Sequence, residues 1–202
     1  HRNTAVGYES LKLTTTSAYN TAVGNESLLN NTTGGENVAV GHAALRNSTT
    51  SFYNTAVGEG CLYNNTTGSN NTAIGNEAGQ KTTTGHSNTI NGAMAFFENT
   101  TGSENVAIGR YANYGNTTGN YNTTVGSFAL KNNTTGSYNT ALGYQAHWRC
   151  TIATDNVAVG GYAMHYATTG NDNVGIGWEC LRGDNTNYMT GVCNCIEIHI
   201  FV

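Results

Sequence analysis

The sequence predicts an all-β fold, a β-solenoid (parallel β-helix or β-roll) of eleven 17-residue coils. Three observations lead there. Asn stands at Asn3, Asn20, Asn37, Asn54, Asn71, Asn88, Asn105, Asn122, Asn139, Asn156 and Asn173, a spacing of 17 without insertion or deletion. Gly follows four residues behind every one of these, from Gly7 to Gly177. Just ahead of that Gly is an aliphatic residue in ten units: Val6, Val23, Val40, Val57, Ile74, Ile108, Val125, Leu142, Val159 and Ile176, with Asn91 the exception.

Taking the Asn as position 1, the unit reads N-[TV]-A-[VI]-G-x-x-[AS]-[LF]-x-N-N-T-T-G-x-x. Val and Thr favour strands, whereas the Asn-Thr-Thr-Gly stretch is a poor helix former. Side chains alternate along a strand, so positions 2 and 4 share one face. That face is expected to point inward, making the valine and isoleucine column the core. The Ala at position 3 then points outward. Small residues such as Ser27, Ala44 and Cys61 fill position 8. Leu11, Leu28, Leu45, Leu62, Leu130 and Leu181 at position 9 add a second apolar row. One unit cannot bury its apolar face alone, and stacking does so. Eleven coils at ~4.8 Å each make a rod roughly 53 Å long. The Asn column is expected to form an amide ladder of the kind seen in cross-β stacks. Turn chemistry explains the same Asn and Gly residues more simply.

Composition removes several function classes. Charged residues are 10% and the net charge is −4, with no basic stripe to hold nucleic acid. No stretch approaches the ~20 apolar residues of a membrane span. The repeat domain is placed at 1–189 and a C-terminal β-strand tail at 190–202. In that tail Ile196, Ile198, Ile200 and Val202 alternate with other residues, which reads as a strand. It is expected either to cap the last coil or to add to the first coil of another subunit, giving a head-to-tail filament.

The segments NTAVG (3–7), NVAVG (37–41), NTAIG (71–75) and NVAIG (105–109) resemble the repeats of trimeric autotransporter adhesin heads. ALKNNTTGSYNTALG (129–143) resembles repeats of phage tail-fibre and bacterial surface proteins. Resemblance to the adhesin heads, whose own repeat is shorter, implies a left-handed β-roll with the aliphatic-Ala-aliphatic core facing inward. Together the resemblances imply an extracellular fibre, often trimeric. They carry over no catalytic residue.

Candidate chemistry is sparse. Cys180, Cys193 and Cys195 are candidates for a disulfide near one end, in an oxidising compartment. With His199 they also have zinc-ligand character, but their spacing matches no strong zinc motif, so neither metal nor cofactor is assigned. Cys61 reads as a small interior residue. Sequons at Asn25, Asn31, Asn47, Asn65, Asn99, Asn116 and Asn133 offer glycan sites, though an Asn-Asn-Thr-Thr-Gly turn creates sequons without any such role. The tyrosines at 19, 53, 121 and 138, and Tyr63 with Trp148 in another column, suit a host-surface glycan or simple cover for the rod. No Ser/His/Asp set, paired carboxylates or phosphate loop stands out, and a rod without insertions has no wall for a cleft, so no enzyme is expected. The sequence therefore points to an extracellular structural subunit of a self-assembling fibre or filament with a surface or adhesive role. A trimeric shaft that binds a host receptor is the alternative, and an ice-binding Thr array a lesser one.

Overall fold

The computed structural model describes residues 2–183. The tail at 190–202, with Cys193, Cys195 and His199, lies outside the described residues. The chain is all-β and winds as a parallel β-solenoid. Each coil gives one three-residue strand: β1 (Thr4–Val6), β2 (Thr21–Val23), β3 (Val38–Val40), β4 (Thr55–Val57), β5 (Thr72–Ile74), β6 (Thr89–Asn91), β7 (Val106–Ile108), β8 (Thr123–Val125), β9 (Thr140–Leu142), β10 (Val157–Val159) and β11 (Val174–Ile176). They form one parallel sheet in sequence order. Pairing is in register, so Thr55 faces Thr72, Ala56 faces Ala73 and Val57 faces Ile74.

The strands are short because position 5 ends them. Its glycines take φ values between +125° and +146°, a region that side chains avoid. A Cβ on Gly58 would lie 2.4 Å from the carbonyl oxygen of Gly75 in the next coil. This column therefore brings adjacent coils close together at the corner after the strand.

The rest of the coil is a series of tight turns, with left-handed backbone at positions 7, 9 and 17. Among the described residues, thirty other than Gly adopt positive φ there, including Glu26, Leu28 and Glu36. Each such residue costs on the order of 1 kcal/mol or more. Hydrogen bonds between coils hold the conformation: Leu28 N–H donates to the carbonyl of Ala44 at 3.0 Å, and Glu26 N–H to that of Tyr8 at 2.8 Å. Gly60 and Gly79 occupy positions 7 and 9 of their coils with φ +60°, where the same turn carries no side-chain strain.

The facing of the strand is the reverse of the expectation. The interior is lined by position 3, where Ala22, Ala39, Ala56, Ala73, Ala107, Ala141 and Ala158 are completely buried. The expected core column, Val6, Val23, Val40, Val57, Ile74, Ile108, Val125, Leu142, Val159 and Ile176, points outward. Val6 is 57% exposed and Ile74 42%, while Val23, Val40, Val57, Leu142 and Val159 are half-buried by their neighbours along the sheet. The physical reason is space. A 17-residue coil encloses a thin interior already filled by the leucines of position 9, the small residues of position 8 and buried Asn side chains. Only a methyl group fits from the strand. The second apolar row is inward, with Phe96 and Met164 in the same column as Leu28, Leu45, Leu62 and Leu130.

This facing gives opposite outcomes for adjacent residues. Ala56→Leu forces extra carbons into a filled interior and is expected to cost ~1–3 kcal/mol or more. Val57→Thr changes an outward side chain and is expected to stay within about 0.5 kcal/mol. Gly58→Ala is expected to cost at least ~2 kcal/mol through its φ and the contact with Gly75. Thermal melting of the three variants checks the assignment, and a larger loss for Val57→Thr than for Ala56→Leu would reverse it.

Candidate functional site

Among the described residues, no cleft gathers reactive side chains. Among the described residues, no group of three or more His, Cys, Asp or Glu is placed to hold a metal ion. What the repeat builds instead is a polar interior spine and two contrasting outer faces.

The spine is the position 1 column. Asn122 shows its geometry. Its backbone N–H and its Nδ2 both donate to Oδ1 of Asn105, at 2.9 and 3.1 Å. Its Nδ2 also donates to the carbonyl of Gly136 at 2.9 Å. Its own Oδ1 accepts both the backbone N–H and the Nδ2 of Asn139, so this amide uses two donors and two acceptor sites, the full capacity of an Asn. The bond from backbone N–H to the Oδ1 one coil back recurs from Asn3 and Asn20, through Asn20 and Asn37, to Asn156 and Asn173. From Asn20 to Asn156 these side chains are buried. Asp would lack the donors and would stack charge on charge.

A second, interrupted spine runs along position 12. Asn31, Asn65, Asn99, Asn116 and Asn133 are buried and donate to the carbonyl three residues ahead, as Asn31 does to Gly34 at 2.9 Å. Five of the expected glycan acceptors are therefore interior side chains; Asn25 is exposed and Asn47 half-buried. Where Ser48 or Thr82 follows in the column, Oδ1 of Asn31 and Asn65 is left without a partner. The Thr at position 13 also bonds inward along the rod. Thr32 Oγ1 donates to the Thr49 carbonyl at 3.0 Å, and the pattern recurs to Thr151. Those hydroxyls are committed to the backbone rather than to an outer water layer.

Three cysteines fall within the described residues, all buried. Burial pushes the Cys61 and Cys150 thiols up to about 12, which makes them poor nucleophiles. Cys180 is buried in the same column as Cys61. Its expected disulfide partners, Cys193 and Cys195, lie outside the described residues, as do Ile196, Ile198, Ile200 and Val202 of the assembly strand.

A polar section interrupts the core in coils 7 to 9. Asn113 and His147 take the place of Leu at position 9, and Thr124 replaces Ala at position 3. All three are fully buried, and the amide of Asn113, the hydroxyl of Thr124 and both ring nitrogens of His147 find no partner. Burial lowers the His147 pKa from the ordinary 6.5 to about 4. The consensus hid these residues because it averages each column, and reading column 9 coil by coil exposes them.

Of the outer faces, one is the sheet side with positions 2 and 4. The other is the turn side with positions 6, 7, 10 and 11. Tyr19, Tyr53, Tyr121 and Tyr138 at position 17 flank the sheet side and are exposed, with the rings of Tyr121 and Tyr138 stacked 4.9 Å apart.

The fold and these columns define a regular parallel β-solenoid with an amide spine. Comparison with protein-family models, curated proteins and solved structures finds no match for this chain.

The buried imidazole predicts acid sensitivity. The unfolded chain takes up the proton before the folded one does, so stability present above pH ~6.5 is lost as pH falls toward about 4. The loss is on the order of 3 kcal/mol. His147→Leu, which restores the leucine column, is expected to raise the melting temperature at neutral pH and to flatten this dependence between pH 6.5 and 4. Melting curves across that range check both. The thiols give a further prediction: Cys61 and Cys150 should resist iodoacetamide in the folded protein and react on denaturation, read by mass spectrometry.

Proposed function

We propose that the protein is a non-enzymatic structural rod that associates side by side with copies of itself through the outer face of its sheet, as a subunit of an extracellular fibre or shaft. One observation carries this reading. Ten of the eleven coils put Val, Ile or Leu outward at position 4, in a single line along the rod. Beside that line, position 2 is Thr or Val in every coil and bears no charge. Contiguous apolar strips of this extent mark interaction surfaces on soluble proteins. The strip is roughly 50 Å long and ~10 Å wide. Together with the flanking tyrosine column it approaches the ~800 Å² per partner of a standard interface. A regular row of aliphatic side chains, broken at Asn91, suits a second copy of the same row. A discrete oligomer, such as a trimer, and a longer lateral bundle are both assemblies of this kind.

Sedimentation of the purified chain tests it. The wild type is expected to run as an oligomer at micromolar concentration. Ile74→Lys, Ile108→Lys and Val125→Lys combined are expected to release monomers with an unchanged far-ultraviolet circular dichroism spectrum. A wild type that sediments as a monomer sinks the reading. Ice shaping at the same concentration would instead favour the Thr and Val columns acting on ordered water.

A further inference from the structure

Position 17 runs along the flank of the sheet, and one stretch of this column differs from the rest. Arg2, Tyr19, Glu36 and Tyr53 follow one another in it, one per turn of the rod. The Arg2 guanidinium lies over the Tyr19 ring, 5.5 Å from its centre, and its Nη1 donates to the Tyr19 hydroxyl at 3.3 Å. Tyr19 therefore turns its ring faces along the rod, one to Arg2 and the other toward the coil of Glu36. Further along the column Tyr121 and Tyr138 occupy adjacent coils, and their rings stack 4.9 Å apart. That distance matches the rise of one coil. Tyr19 and Tyr53 are two coils apart, so roughly 10 Å separates them. Among the described residues of this column, no other two rings are spaced with a single coil between them.

The gap is open to solvent. Tyr19 and Glu36 line a cleft on the surface. Tyr19 and Tyr53 are each 55% exposed, so both rings keep accessible area. Phe52 adds a wall. Its ring lies over Gly35, where a Cβ would come within 3.2 Å of it, and its centre is 6.1 Å from that of Tyr53. Glu36 is exposed and makes no salt bridge with any described cation. The other glutamate of the column is engaged differently, since the Tyr121 hydroxyl donates to Glu104 at 3.2 Å.

Electron-rich ring faces beside a carboxylate attract a cation and repel an anion. Size then decides which cation. A group midway in a ~10 Å gap sits ~5 Å from each ring centre, inside the ~6 Å over which the attraction acts. A flat guanidinium stacks at ~3.5–4 Å and reaches only one wall of such a gap. A primary ammonium is strongly hydrated, and the cleft offers its three N–H donors a single carboxylate. A trimethylammonium group has no N–H to satisfy, and its methyl groups fill the gap from ring to ring. We propose that Tyr19, Glu36, Phe52 and Tyr53 form a binding site for a quaternary ammonium group, held between the two tyrosine rings with its charge against Glu36. Choline-type headgroups and trimethylated lysine side chains share this chemistry. The site depends on the position 17 flank of coils 1 to 3 and not on self-association of the rod.

Nuclear magnetic resonance titration tests the proposal at millimolar ligand, since exposed contacts of this kind are individually weak. Choline is expected to bind saturably, with a Kd on the order of millimolar. A dimethylbutanol that keeps the shape of choline without its charge, guanidinium and galactose are each expected to bind at least severalfold more weakly. Tyr19→Asn and Tyr53→Asn introduce the residue that Asn70 already supplies in this column, so the turn is kept, and each should weaken choline binding severalfold. Tyr19→Phe should preserve it. Glu36→Gln should weaken it severalfold and remove most of its salt dependence. Tyr121→Asn with Tyr138→Asn, in the stacked pair, should leave it unchanged. Phosphocholine and trimethyl-lysine distinguish the sources: tighter binding of the first than of choline points to a headgroup, and of the second to a modified protein side chain. The titration is repeated on the Ile74→Lys, Ile108→Lys and Val125→Lys variant, where binding is again expected. Four results each overturn the proposal: no saturable binding of choline, phosphocholine or trimethyl-lysine; equal or tighter binding of the neutral analogue, guanidinium or galactose; unchanged affinity in both Tyr19→Asn and Tyr53→Asn; or binding by the wild type that the triple lysine variant lacks.

Discussion

The architecture depends on the buried amide row at position 1. A solenoid needs every coil to stop at the same angular position as the one before. Backbone pairing between three-residue strands is too brief to fix that by itself. The Asn row adds side-chain bonds to the previous coil and to the carbonyl at position 15, as Asn122 does with Asn105 and Gly136. A slip of one residue would bury these amides without partners, at ~1–3 kcal/mol for each group lost. Register is therefore enforced from inside the rod. The same row draws position 3 inward, since positions 1 and 3 share a face, and so sends the aliphatic column out.

Much of this was legible in the residues. The period, the number of coils, the parallel stacking and the Asn columns follow from spacing alone. The facing of the strand did not, because the reading ranked Val and Ile above Ala by hydrophobicity. Size was the better guide. An alanine repeated at Ala22, Ala39, Ala56 and Ala73 marks a place where nothing larger fits. If Asn37 is inward, alternation makes Ala39 inward too. The gap between Tyr19 and Tyr53 was unreadable from the consensus for the opposite reason. Position 17 varies from coil to coil, so Glu36 vanishes into an unspecified letter of the motif. The left-handed turns were hidden as well. Leu28 and Leu45 with φ near +50° contradict residue preference, and only the bonds from neighbouring coils explain them.

The outward aliphatic column also changes how stability and association relate. In a thin coil the interior supplies little apolar area beyond methyl groups and, in most coils, one larger apolar side chain at position 9. Hydrogen bonding along the rod carries an unusual share of the work, from the amide spine to the Thr hydroxyls of position 13. The polar break at Asn113, Thr124 and His147 interrupts that scheme where the interior can least absorb it.

Because Gly58 must meet Gly75, and each Gly at position 5 from Gly7 to Gly160 its counterpart one coil on, the coils are interchangeable at these junctions. Duplicating or deleting a whole unit leaves each remaining junction as it was, whereas losing a single residue throws all later coils out of phase. A gene for such a rod can lengthen or shorten its product by unequal recombination between units without inventing a new contact. The length of the described rod is in that sense set by the number of coils and not by the design of any one part.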